Sequence, residues 1–180
     1  DDAGFVGLDG AVNVSSRQFE RGDLPDVVER ALGEVGLKPD RLHLEITEST
    51  LMRNTKVTNA TLEALKEIGV KLAIDDFGTG YSSLAYLHRF QVDLLKIDRA
   101  FIKDLGVSPE GDAVTGAIIG LGQQLGLTLI AEGVENKSQL EFVTSRGVSR
   151  VQGFHFSKPV SAEQLVELVN WQRVLKSEAV

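Results

Sequence analysis

Carboxylates stand at the ends of short apolar runs along this chain, and one run ends in two of them. Lys71-Leu72-Ala73-Ile74 leads directly into Asp75-Asp76, followed by Phe77-Gly78-Thr79-Gly80. An apolar run closed by polar residues and glycines reads as a buried strand entering a loop. Side chains alternate along a strand, so Leu72 and Ile74 share one face and Ala73 and Asp75 the other. A carboxylate there is costly unless it is paired or holds a cation. The aspartate pair therefore reads as a cation site or, more plainly, as an Asp-rich turn or helix cap. The same pattern recurs, with one polar residue opposite or beside each apolar stripe: Asn13, Glu45, Asp75, Lys96, Glu132 and Gln152.

The elements that must carry these residues follow in order. Strands are expected at 10–15, 42–48, 71–76, 94–98, 127–132 and 150–154. Helices are expected from Asp23 to Val35, from Val57 to Ile68, from Ser82 to His88, from Gly111 to Leu125, after an Asn136/Gln139 capping box, and from Ser161 through Trp171. Gly36, Gly69, Gly126 and Gly147 suit the helix ends.

Six strand–helix units in succession imply a parallel sheet. The six polar residues lie 20 to 36 residues apart, the size of such units, which places them at comparable heights. A ring of this kind fits the C-terminal mouth of a TIM-like (β/α)8 barrel. An open Rossmann-type sheet is the competing architecture, but its Gly-rich phosphate fingerprint is missing. A barrel takes eight strands in about 250 residues. The expectation is a single domain over 1–180, an N-terminally incomplete barrel whose first strands precede Asp1.

Composition narrows the function classes. A net charge of −7 argues against a binder of nucleic-acid polymers. With no cysteine there is neither a disulfide framework nor a thiolate site. No apolar run approaches the roughly 20 residues of a membrane span, so a cytoplasmic domain is expected, with membrane tethering of the parent left open. His43, His88 and His155 lack ligand-like spacing and read as structural.

Laid out in this order, the chain resembles the EAL domain family of cyclic di-GMP phosphodiesterases. The matching motifs are Asn13-Val14-Ser15, Leu44-Glu45-Ile46-Thr47-Glu48, Asp75-Asp76-Phe77-Gly78-Thr79-Gly80, Lys96-Ile97-Asp98, Ala131-Glu132-Gly133-Val134-Glu135 and Gln152-Gly153. The resemblance implies hydrolysis of cyclic di-GMP to linear pGpG with two divalent ions, Mg²⁺ or Mn²⁺. It implies that Asn13, Glu45 and Asp75 hold the first ion, with Asp75 bridging to a second that Asp76 also binds. Glu132 becomes a second-metal ligand or base, and Lys96 an orienter of water or a stabiliser of developing charge. Glu48 would anchor the loop from Asp75 to Leu84. Asp98, Glu135 and Gln152 fall at further site positions, expected to meet substrate.

The Glu-Ala-Leu tripeptide that names the family is absent. Its position precedes Asp1, so missing chain is the expected cause, and the fragment alone is expected to be inactive. The alternative is a receptor that binds cyclic di-GMP without turnover. A third reading is an interaction platform at Gly80–Phe90, where the resemblance implies a homodimer contact. Sensory or GGDEF domains are the expected neighbours in a parent protein.

Overall fold

Alternation within the apolar runs decides which way the sheet faces. Leu44 and Ile46, Leu72 and Ile74, Leu95 and Ile97, and Leu129 and Ala131 point to one side and are all buried. The computed structural model describes residues 8–53, 55–78 and 91–168. Its strands are β1 (Gly10–Val14), β2 (Leu42–Thr47), β3 (Lys71–Phe77), β4 (Leu94–Ile97), β5 (Thr128–Glu132) and β6 (Arg150–Gln152). They form one sheet in chain order, and every neighbouring pair is parallel. A doubly wound sheet reverses its strand order at a switch point. This sheet does not, so the order is that of a barrel wall.

The helices supply the other half of the core. They are α1 (Ser16–Arg21), α2 (Leu24–Val35), α3 (Glu48–Met52), α4 (Lys56–Ile68), α5 (Arg99–Lys103), α6 (Pro109–Gln124) and α7 (Lys137–Ser145), with a further helical stretch, α8, at 162–168. Val28 and Leu32 of α2, Leu62 and Leu65 of α4, Ile118 and Ile119 of α6, and Val143 of α7 join the strand residues in one hydrophobic cluster. The apolar face of the sheet is thus covered by helices, and the polar residues lie on the other face. Among the described residues, no helix is long and apolar enough to cross a membrane.

Several expected boundaries shift for identifiable reasons. Residues 16–21 form α1, because Ser15 and Gln18 make a reciprocal capping box where a strand end was expected. Asp23 precedes α2 but does not cap it with its side chain. Its carboxylate instead accepts from the Arg21 guanidinium at 2.6 Å. The second strand stops at Thr47, and Glu48 opens α3. The helix expected at Gly111 starts at Pro109, capped by Ser108. The sixth strand ends at Gln152, not Phe154. The expected helix from Ser82 to His88, the Gly80–Phe90 contact region and the approach to Trp171 lie outside the described residues.

The sheet is curled. Arg150 on β6 brings its Nη1 to 3.7 Å from Oδ2 of Asp9, the residue before β1. His43 Nε2 lies 3.6 Å from the same oxygen. Burial pushes the His43 imidazole below its ordinary pKa, against the pull of Asp9. It lies near the N-terminal end of β2.

Asp93 binds the same end together. Its carboxylate accepts from Lys66 at 2.7 Å, from the Leu72 amide at 2.9 Å and from Lys71 at 3.3 Å. Burial opposes ionisation, but these donors outweigh it and hold the carboxyl below the usual range. A depressed carboxyl stabilises the fold above its unfolded pKa and ceases to do so as pH falls through the folded value. Replacing Asp93 with Asn should therefore cost about 1–3 kcal/mol at neutral pH. In urea melts that difference should narrow below about pH 4; a pH-independent difference would show that the charge is not what matters.

Candidate active site

Lys96 stands among carboxylates. Its Nζ lies 2.6 Å from Glu45 Oε2, 2.8 Å from Glu132 Oε1 and 3.0 Å from Asp75 Oδ1. The four side chains come from β2, β3, β4 and β5, and all project from the face opposite the apolar core. Only 6% of the Lys96 side chain is exposed, so these contacts are shielded from solvent. Burial alone would lower the lysine pKa. The hydrogen bonds to Glu132, Glu45 and Asp75 outweigh it and hold the ammonium well above the usual lysine range. Burial raises the Glu132 carboxyl, against the opposing pull of Lys96.

The site residues lie at comparable heights, with steps of two residues between some neighbouring strands. Glu45 pairs with Ala73, and Asp75 pairs with Thr47, so the site steps up by two residues from β2 to β3. Lys96 pairs with Ile130, and Glu132 is two residues further along β5. Closing a barrel requires such a stagger, because its strands tilt. Tilt turns the rising steps into convergence. At the ends of this series, Asn13 pairs with Glu45 and Glu132 with Gln152. Asn13 and Gln152 are both exposed.

Asp76 sits where β3 turns away. It adopts a positive φ of 54°, uncommon for a residue with a side chain. Its amide donates to Asp75 Oδ1 at 3.1 Å. Burial, then repulsion from Asp75 and Asp98, raise its carboxyl above the ordinary value. Glu48, buried at the start of α3, accepts from the Gly78 amide at 3.1 Å. That bond fixes the first residue after β3. The rest of the loop Glu48 was expected to hold lies outside the described residues.

The loop after β5 forms the other wall. Asp98 caps α5 by accepting from the Ala100 amide at 2.7 Å. Arg99 then lies across Gly133, where a Cβ would come within 2.4 Å of the arginine Cγ. Only glycine admits that approach. The Arg99 guanidinium reaches Glu135 at 3.1 Å. Arg99, Glu132, Glu135, Gln152 and Phe154 line a cleft of about 210 Å³ beside the carboxylate cluster. Neither Arg99 nor α5 was expected from the sequence, although Asp98 as a cap before an apolar Phe101-Ile102 pair was a readable signal.

A model of the EAL domain matches residues 2–159. The chain belongs to the EAL domain family. Among curated relatives of this EAL chain, the Pseudomonas aeruginosa bifunctional diguanylate cyclase/cyclic di-GMP phosphodiesterase MucR is 46% identical over 168 residues, covering 93% of this chain and 24% of MucR. The cyclic di-GMP phosphodiesterase NbdA of the same organism is 45% identical over 171 residues, covering 95% and 22%. The chain thus spans about a quarter of the length of these relatives. The solved MucR phosphodiesterase in complex with c-di-GMP superposes with a TM-score of 0.86 at 46% identity, covering 91% of this EAL chain and 66% of that one. Klebsiella pneumoniae BlrP1 with manganese and cyclic di-GMP gives 0.78 at 35% identity, covering 84% and 39%.

The Glu48 contact makes a local expectation. Glu48→Ala removes the acceptor of the Gly78 amide, and an unpaired buried donor costs about 1–3 kcal/mol. Hydrogen exchange at Gly78 should accelerate by tenfold or more while amides in β2 keep their protection. Unchanged exchange at Gly78 would show that Glu48 does not anchor the turn.

Proposed function

We infer that this chain is part of a phosphodiesterase that opens one phosphodiester bond of cyclic di-GMP to leave linear pGpG. The observation that carries the reading is the convergence of Glu45, Asp75 and Glu132 on one buried lysine, in an EAL chain. The names of MucR and NbdA support it, as does the c-di-GMP in the MucR complex.

The donor chemistry suits divalent metal ions, although among the described residues no group of three or more Asp, Glu, His or Cys side chains stands arranged to hold one. Glu45, Asp75, Asp76, Glu132 and Asn13 offer hard oxygen atoms of the kind that Mg²⁺ and Mn²⁺ take. Asp76 is raised first by burial and then by its acidic neighbours Asp75 and Asp98, and cations would relieve the second of these. The manganese in the BlrP1 complex agrees with this chemistry. Asn13, Glu45 and Asp75 would hold one ion, and Asp75 and Asp76 the other. Bound there, two such ions would supply positive charge against the phosphodiester and would polarise a water.

The chain's own residues do the remainder. Lys96 holds Glu45, Asp75 and Glu132 in place with its three N–H donors, and its positive charge would stabilise the developing negative charge. Glu132, with its raised carboxyl, would serve as a ligand of the second ion or accept the proton of attacking water. The water oxygen bonds to phosphorus, the bond to the 3′ oxygen breaks, and the leaving oxygen takes up a proton. Gln152, Asp98 and Glu135 would meet substrate at the cleft, and Glu48 acts through the Gly78 turn. Dimerisation through the segment after Asp76 and sensory or GGDEF domains in a parent protein belong to the same reading.

In the full-length protein, Asp75→Asn and Glu132→Gln should each lower kcat on cyclic di-GMP with Mn²⁺ about a hundredfold or more. Glu141→Gln should be nearly silent, because Glu141 is 65% exposed and, among the described residues, its carboxylate pairs with Lys137 one turn away. Equal losses in all three would indicate misfolding. Tight cyclic di-GMP binding by the unmodified protein without turnover would replace the enzyme reading with that of a receptor.

Six strands leave β1 with an unpaired edge among the described residues, and Val12 on that strand is 51% exposed. A barrel of eight needs two more. Residues 1–180 alone should therefore turn over cyclic di-GMP poorly, and an N-terminally extended protein should restore the rate. Comparable turnover by the two would show that further strands, and any glutamate on them, are dispensable.

A further inference from the structure

The turn that carries Asp75 and Asp76 is gripped from two sides. On one side Glu48 accepts from the Gly78 amide at 3.1 Å. On the other lies the ring of Phe101, from the second residue-pair of α5. A Cβ on Gly78 would stand 2.9 Å from both Cε2 and Cζ of that ring. Gly78 has a φ of +90°, and Asp76, two residues before it, has a φ of 54°. Phe77 between them is buried. Two left-handed residues flanking a buried one make a turn whose shape must be imposed by its surroundings.

Phe101 is itself held from behind. Its carbonyl accepts from the fully buried Thr115 Oγ1 at 3.2 Å, which ties it to α6. Its amide donates to the Asp98 carbonyl at 3.1 Å. The backbone of Phe101 is thus tied at both carbonyl and amide, and its ring closes off the side of Gly78 on which a Cβ would stand.

We propose that Phe101 is a positioning residue that sets the Asp75–Asp76 turn through ring contact with Gly78 and thereby sets divalent-cation affinity at those carboxylates. The proposal rests on the metal reading given above. It needs the ring, and not merely apolar volume, at this position. Groups that orient metal ligands from behind typically change affinity ten- to a hundredfold when removed.

The test is Mn²⁺ titration of the full-length protein by electron paramagnetic resonance, without substrate, alongside thermal melts. Phe101→Ala should weaken Mn²⁺ binding about tenfold or more, and Phe101→Tyr, which keeps the ring, should stay within about twofold of the unmodified protein. Ile102→Val, a trimmed core residue on the same helix, should melt at lower temperature with unchanged Mn²⁺ affinity. If Phe101→Ala does not fold, Phe101→Leu supplies the measurement, since it keeps apolar volume and loses the ring. Mn²⁺ affinity unchanged in Phe101→Leu or Phe101→Ala overturns the proposal and leaves the metal reading standing. Absence of Mn²⁺ binding by the unmodified protein overturns both.

Discussion

Four strands meet at the Lys96 ammonium, and the carboxylates around it could not be packed there without it. Glu45, Asp75 and Glu132 each approach Nζ to 3.0 Å or less. Like charges at such spacing repel strongly in a partly dry interior. One cation among three anions still leaves a negative surplus, and burying it costs more than an apolar core of the same volume would. A fold shaped for stability alone has no reason to build it. The surplus is what a site for cations and an anionic substrate requires.

Much of this was legible from the residues. Period-two alternation told the apolar stripe from the polar face on β2, β3 and β4, where that stripe is buried under helices; on β1 it fails at Val12, which is 51% exposed. Parallel pairing followed from the strand–helix rhythm. The rise of the site residues along the sheet was not legible, because it depends on strand tilt, a property of the assembled wall and not of any one segment. The register of Glu45 with Ala73 shows this step.

The short helices escaped notice for a related reason. Five or six residues cannot sustain a helix by propensity. α5 persists because Asp98 caps it, Thr115 holds the Phe101 carbonyl, and Arg99 lies over Gly133. Two of those three partners are distant in sequence. Asp23 illustrates the converse: the residue type suits a cap, yet the nearby Arg21 guanidinium takes its carboxylate. A charged donor forms the stronger hydrogen bond.

The two ends of the strands solve their electrostatics in opposite ways. At the N-terminal end, Asp93 is matched by Lys66 and Lys71, and Asp9 faces His43 and Arg150. Charges there are near balance, and Asp93 is pulled toward ionisation by its donors against burial. At the C-terminal end the shifts run the other way: Asp76 and Glu132 are both raised. Carboxyls pulled down by partners stabilise the fold, whereas carboxyls pushed up oppose it at neutral pH. The protein therefore gives up stability at the end that carries Asp76 and Glu132. It offsets that loss at the other end and in the helix-covered core. The same division, stability below and chemistry above, is inherent in a parallel barrel wall, where all strands present their C-terminal ends to one side.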